Sequence, residues 1–201
     1  MPEIINTPVV EFLWDPQKLP DFLPLLRRGI LLKARLGTTI SNVLCEQLGI
    51  PREYLDDRVG TVFLDGRAVD DVDKAIVREG GTLALSAAMP GLVGATMRKG
   101  GILASMRNSI TYREQDPAMS GSEGFFVLRL YNTVAGELGP IVLRSGVWTD
   151  GETLRGFLGD AAEELRLGCV ECRLDGDVCQ WTRLLESLPV GKDRVLMRVT
   201  T

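Results

Sequence analysis

Short runs of apolar residues, each bounded by Gly, Pro or Asp, recur along the chain and predict β-strands. One of them ends at Asp65-Gly66 and returns through Ala68 and Val69, which is the pattern of a β-hairpin. The runs that predict strands are Val9–Trp14, Ile30–Leu36, Val59–Leu64, Thr82–Ala88, Val170–Leu174 and Arg194–Val199.

Two segments have the apolar spacing of amphipathic helices. The first extends from about Ile40 to Leu48, where Thr38 or Thr39 can supply the N-cap and Gly49 ends the pattern. The second follows Thr153 and ends at Gly168. Strands interspersed with helices in this order predict the α+β class.

One stretch is ambiguous. Phe125–Tyr131 is consistent with a strand, but the longer run to Leu143 also has helical spacing. Gly136, Gly139 and Pro140 weigh against a continuous helix, so both interpretations stay open.

Three motifs follow one another in the first half: Gly37-Thr38-Thr39-Ile40, Val62–Val69 and Glu79–Leu85. Their order and spacing resemble the β-grasp sulfur carriers of molybdopterin and thiamine biosynthesis, which are ubiquitin-like proteins. The resemblance covers residues 30–101 and implies a β-grasp fold there.

The resemblance also implies a chemistry. The carriers end in Gly-Gly, and the terminal carboxylate is adenylated and thiolated. Gly100-Gly101 stands in the corresponding place here, but Ile102 follows it, so an internal glycine has no free carboxylate. One hypothesis is therefore a sulfur-carrier precursor that is activated by cleavage after Gly101.

The predicted domains are a β-grasp-like domain with an N-terminal extension (1–101), a linker (102–122) and a second α+β domain (123–201). The second domain can repeat the first, because Leu64-Asp65-Gly66 parallels Leu174-Asp175-Gly176 and Leu83-Ala84-Leu85 parallels Val195-Leu196-Met197. Leu26–Gly29 likewise parallels Leu143–Gly146. The alternative is two unrelated domains with similar turn chemistry.

A glycine-rich segment follows the predicted strand Thr82–Ala88. It contains apolar residues that do not suit a solvated linker. It fits neither a dinucleotide fingerprint nor a P-loop. Two interpretations follow: an apolar arm that inserts into a protein partner, or a loop packed on its own domain. The candidate partner-binding residues are Gly91, Gly94, Gly100 and Gly101.

Composition narrows the function classes. The chain has 201 residues, no histidine and a net charge of −4. Without histidine, Ser-His and Cys-His nucleophile pairs are excluded. The acidic balance weighs against nucleic acid as a partner, no apolar run is long enough to span a membrane, and Glu3 does not suit a signal peptide. We therefore expect a cytoplasmic protein without a cofactor.

The cysteines Cys169, Cys172 and Cys179 have ligand-like spacing. They can bind zinc with Cys45 or an oxygen ligand, or form a redox pair. Alternatively, Cys172 and Cys179 face each other across a hairpin turn as small apolar side chains.

The aspartates Asp70, Asp71 and Asp73 form an acidic cluster. They can bind a divalent cation or cap the next turn, and the spacing favours capping.

Together these patterns predict a non-enzymatic protein-binding or adaptor protein. The carrier precursor and a zinc or redox protein are the alternatives.

Overall fold

A computed structural model describes residues 7–107, 109–113, 121–160 and 162–201. Its strands are β1 (Val9–Trp14), β2 (Ile30–Leu36), β3 (Thr38–Thr39), β4 (Thr61–Leu64), β5 (Arg67–Ala68), β6 (Ile76–Val77), β7 (Thr82–Ser86), β8 (Ser122–Tyr131), β9 (Val147–Asp150), β10 (Cys169–Leu174), β11 (Asp177–Val178) and β12 (Arg194–Thr200). The α-helices are α1 (Leu23–Arg28), α2 (Arg52–Asp57), α3 (Gly91–Met97), α4 (Asn132–Ser145), α5 (Gly151–Asp160), α6 (Ala162–Gly168) and α7 (Trp181–Ser187). Two 3₁₀ segments, Pro16–Phe22 and Ile102–Arg107, and a π-helical segment, Asn42–Gln47, complete the elements. The α+β class is confirmed.

The chain forms two compact units. Unit 1 contains residues 1–25 and 140–201, and unit 2 contains residues 26–139. This division differs from the predicted boundaries at 101 and 122, because β1 pairs with strands of the second half and β8 pairs with strands of the first half.

Unit 1 has the strand order β11-β10-β1-β12-β9. β1 and β12 are parallel, with Val10 opposite Met197, and each is antiparallel to its outer neighbour. The buried face is rich in aromatic side chains: the Trp14 and Phe22 ring centroids are 4.8 Å apart, and Phe12 lies 5.7 Å from Trp14. Alternating burial along β1 places Phe12 and Trp14 inward, and the same alternation along β12 buries Val195, Met197 and Val199.

Unit 2 has the strand order β2-β8-β7-β4-β5. β7 and β8 are parallel, with Leu85 opposite Leu130, and β4 and β2 flank them in antiparallel pairing. The short strands β3 and β6 form a separate ladder. In both units, therefore, a parallel central pair lies between antiparallel strands, with a short hairpin strand at one edge.

A glycine begins the corresponding strand in each unit. Gly29 precedes β2 with φ +115°, and Gly146 precedes β9 with φ +102°. A Cβ on Gly29 would lie 2.7 Å from Val127 Cγ1, and one on Gly146 would lie 3.1 Å from Leu196 Cδ1. This backbone region suits glycine alone, so the parallel seen in the sequence corresponds to a shared structural requirement.

The predicted helix after Thr39 is present. The Thr39 hydroxyl accepts a hydrogen bond from the Asn42 amide at 3.2 Å, as expected of the cap. Its last turn is wider than expected, since the Leu48 amide donates to the Val43 carbonyl at 3.1 Å.

Two local predictions need correction. The ambiguous stretch is both strand and helix: β8 ends at Tyr131, Asn132 adopts φ +54°, and α4 continues through Pro140. Proline has no amide hydrogen, so Pro140 cannot donate to the Gly136 carbonyl. The helix tolerates this because Gly136 is exposed to solvent. The sequence predicts that the strand returning from the Asp175-Gly176 turn covers Val178 to Trp181, but the strand ends at Val178 and Trp181 begins α7.

Within the described ranges, no helix is long and apolar enough to cross a membrane.

We expect Gly29→Ala to lower the free energy of unfolding by about 2 kcal/mol, because the side chain would be strained at this φ and would meet Val127. Gly136→Ala is the matched control. It lies in α4 with open space around it, so it should raise the free energy by about 0.5–1 kcal/mol. Urea denaturation measures the free energy of unfolding of both variants, and equal changes would contradict the requirement for glycine at position 29.

Candidate docking site

The segment from Gly91 to Arg107, called the arm below, contains α3 and the following 3₁₀ segment. Its large apolar side chains point outward: Leu92 is 68% exposed, Val93 69%, Ile102 99% and Met106 69%. Four exposed large apolar residues thus lie within one short segment, a concentration that makes the arm a candidate interaction site.

A buried arginine holds the arm in place. Arg107 is only 3% exposed, and its guanidinium donates to Asp70 Oδ1 at 2.6 Å and to the Thr96 carbonyl at 2.6 Å. It also donates to Thr111 Oγ1 at 3.0 Å and to the Arg98 carbonyl at 3.3 Å. One side chain thus connects both parts of the arm to the loop that carries Asp70.

Lys99 supplies a second anchor. Its amide donates to the Gly60 carbonyl at 2.8 Å, and its ammonium donates to the Leu55 carbonyl at 2.7 Å. Burial lowers the pKa of Lys99, although Asp56, 3.9 Å away, opposes that shift. The arm is therefore fixed by polar contacts on its inner side while its apolar residues face outward.

The chain after the arm covers the edge of the sheet. The Ala68 amide donates to the Ile110 carbonyl at 3.0 Å, and the Tyr112 amide donates to the Ala68 carbonyl at 2.7 Å. These bonds close the outer side of β5, so this edge is not open for strand addition.

A groove of about 650 Å³ runs along the arm. The four predicted glycines all line it, together with Ala88, Met89, Ala95, Arg98, Lys99, Ile102 and Leu103. Gly94 lies against the Met89 carbonyl, where a side chain would clash. Gly100 and Gly101 form a turn, in which the Gly100 amide donates to Asp70 Oδ1 at 2.9 Å and the Gly101 amide to the Arg98 carbonyl at 3.1 Å.

The aspartate cluster is divided among separate partners. Asp70 pairs with Arg107, Asp71 with Lys74 at 2.8 Å, and Asp73 with Arg52 through two bonds of 2.8 and 2.9 Å. Asp71 Oδ1 also accepts from the Asp73 amide at 3.0 Å, which is the predicted capping role. The pairing with Arg52 and Ser41 lowers the pKa of Asp73 to about 2.

The cysteine cluster lies on the β10–β11 hairpin of unit 1. Cys172 and Cys179 face each other, as one of the sequence interpretations expects, with their Sγ atoms 3.8 Å apart. Cys45 lies in the π-helical segment of unit 2. Across the part of the chain that the structure describes, no group of three or more Cys, Asp or Glu side chains is arranged to hold a metal ion.

Sequence reasoning did not single out Arg107 as the anchor. The available signal was one cation in the otherwise uncharged run Ile102–Arg107, downstream of an aspartate cluster. A buried cation needs a carboxylate partner, so Asp70 and Arg107 could have been paired on that ground.

No family model, curated protein or solved structure matches this chain.

We expect Arg107→Met to loosen the arm, because it leaves Asp70 without its cation. Asp70 itself is 34% exposed, so the cost is that of the lost charge-assisted hydrogen bonds, about 1.5–3 kcal/mol, or roughly 10- to 100-fold in the local opening equilibrium. Amide hydrogen exchange should therefore accelerate at Lys99 and Gly100 and stay unchanged at Phe12 of unit 1. Arg98→Met, which removes an exposed guanidinium, is the control and should leave exchange unaltered.

The pairing of Asp73 predicts a loss of stability in acid. Because its folded-state pKa is lowered, its contribution is present above the ordinary carboxyl pKa of about 4 and is lost as the pH falls towards 2. Asp73→Asn should therefore lose less stability than wild type between pH 7 and about pH 2.5 in urea denaturation. Asp57→Asn, on the helix α2 that carries Arg52, is the control variant, and an equal reduction of the acid dependence in both variants would contradict this role of Asp73.

Proposed function

We propose that this chain is a non-enzymatic protein-binding or adaptor protein and that the arm is its docking site. The observation that carries this proposal is the outward position of Leu92, Val93, Ile102 and Met106 on a segment that a buried arginine fixes in place. Burying Arg107 is costly unless every donor is satisfied, and its bonds stabilise the arm rather than the sheet.

The fixed arm favours binding because its backbone is already ordered. Association must overcome the entropy of ordering loops and side chains, and a segment held by Arg107 and Lys99 has met much of that cost beforehand. Each exposed apolar anchor that a partner covers can contribute about 1.5–3 kcal/mol. The small residues along the groove leave room for the partner's backbone to approach.

The groove indicates the chemistry of its occupant. The ionisable residues that line it are Arg98 and Lys99, and both are cations. Lys99 already donates to Leu55, whereas the Arg98 side chain is exposed. We infer a protein partner that inserts an apolar segment carrying a carboxylate, which would pair with Arg98 at the rim.

A β-grasp-like fold for each unit is part of the same proposal. The parallel central pair with antiparallel neighbours and a helix after the outer strand supports it. The chain order is altered in both units: β8 follows β7 in sequence but lies beside β2, and β12 is the last strand of unit 1 but lies beside β9.

The sulfur-carrier precursor stays a prediction. Gly100 and Gly101 lie in a hydrogen-bonded turn rather than a free tail, so no observation here favours cleavage after Gly101.

The partner can be identified by placing a photo-crosslinking amino acid at Ile102 of the full chain, with the same group at Val190 as control. Val190 is 84% exposed but lies in unit 1. We expect a crosslinked partner at Ile102 that is absent at Val190, with the crosslink on an apolar segment containing Asp or Glu. Crosslinks only to a second copy of the chain, or equal products at both positions, would overturn the proposal.

Binding of the purified partner gives the quantitative test. Leu92→Ser and Ile102→Ser should each weaken binding by about 1.5 kcal/mol, or roughly tenfold, because each removes a buried apolar anchor. Val190→Ser should not change the affinity, and Arg98→Gln should weaken it most at low salt. Unchanged Kd in both arm variants would contradict the assignment of the docking site.

A further inference from the structure

Cys172 and Cys179 lie opposite each other on the β10–β11 hairpin of unit 1. The register of β10 and β11 places Arg173 opposite Val178, and the next pair along is Cys172 opposite Cys179. The Cys179 amide donates to the Cys172 carbonyl at 3.0 Å, and the Cys172 thiol donates to the Cys179 carbonyl at 2.9 Å. Cα atoms of directly opposed antiparallel residues lie about 4.5–5.5 Å apart, within the range that a disulfide requires.

The pair is accessible from one side. A groove of about 490 Å³ is lined by Cys169, Cys172 and Cys179, with Val170, Val178 and Trp181 as its apolar walls. Cys172 is 5% exposed, whereas Cys179 is only half-buried. Cys179 is therefore the more accessible thiol of the pair.

The two charged side chains that line the groove, Glu171 and Arg166, differ in whether they already have a partner. Glu171 is paired with Arg173 at 2.7 Å, while Arg166 is exposed and has no ion pair among the residues described. Arg166 also lines the groove and can therefore bind a carboxylate there. The same groove thus contains a thiol pair and an exposed cation, which suits a small disulfide that carries a carboxylate.

We propose that Cys172 and Cys179 form a reversible disulfide by exchange with a small carboxylate-bearing disulfide of the glutathione disulfide class. The Cys179 thiolate attacks one sulfur of the small disulfide, the old S–S bond breaks, and one small thiolate leaves and takes up a proton. Cys172 then loses its proton and attacks Cys179 Sγ, 3.8 Å away, which expels the second small thiolate. Two electrons pass from the protein thiols to the small disulfide, which is reduced to two thiols.

The test treats the full native chain with glutathione disulfide and maps the products by differential alkylation and mass spectrometry. We expect a loss of two hydrogen atoms in mass and a crosslinked peptide joining Cys172 to Cys179, with Cys45 still alkylated. Cys172→Ser should stop at a stable glutathione adduct on Cys179, because the resolving thiol is missing. Cys169→Ser is the matched control and should form the Cys172–Cys179 disulfide as wild type does.

The pH dependence of the second step and the effect of replacing Arg166 provide two further tests. Burial and the neighbouring thiols of Cys179 and Cys169 raise the pKa of Cys172 to about 12. The second step should therefore accelerate about tenfold per pH unit between pH 7 and 9, as the thiolate fraction grows. Arg166→Gln should slow adduct formation with glutathione disulfide but not with the uncharged disulfide of 2-mercaptoethanol. A disulfide through Cys169 instead, or no adduct in the folded Cys172→Ser chain, would overturn the proposal.

Discussion

Parallel pairing between distant parts of the chain is the constraint on which both units depend. β1 lies beside β12 in unit 1, and β7 lies beside β8 in unit 2. Adjacent parallel strands cannot be joined by a tight turn, so the chain between Ser86 and Ser122 must return along the strand direction. The arm is part of that return. Topology explains why a connection of this length exists, whereas the outward apolar side chains are accounted for only by the docking role proposed above.

Local features of the fold could be predicted from the sequence because short-range chemistry determines them. The turns at Asp65-Gly66 and Asp175-Gly176 are present, and both aspartates adopt the positive φ that Asp tolerates, +50° and +53°. The alternating runs became strands for the same reason. Pairing partners could not be predicted, since a period of two gives the buried face of a strand but not its neighbour. The sequence parallel of Leu83–Leu85 with Val195–Met197 therefore treats β7 and β12 as equivalent strands. In the two sheets, however, β7 occupies the position of β1, and β12 occupies the position of β8.

For the candidate sites, too, the sequence predicts local features but not contacts between distant residues. The glycines of the arm were predicted from composition, and they do lie along one groove, but their role as a partner-binding site remains a proposal. The contact between Arg107 and Asp70 depends on how residues 37 positions apart meet in the fold, which no local pattern contains. The facing of Cys172 and Cys179 was easier to predict, because both flank one hairpin turn and their separation is fixed by its length.

The position of β1 affects the order in which the units can be completed on the ribosome. Residues 26–139 contain every strand of unit 2, so this unit can close while residues 140–201 are still being made. Unit 1 must wait until β12 has emerged, because Val9–Trp14 has its parallel neighbour there. At about 5–20 residues per second, an apolar segment with Phe12 and Trp14 stays without its parallel neighbour for roughly 10–40 seconds of synthesis. Chaperone binding to nascent β1 would protect it during this interval, because pairing with β12 needs a slow closure between distant parts of the chain.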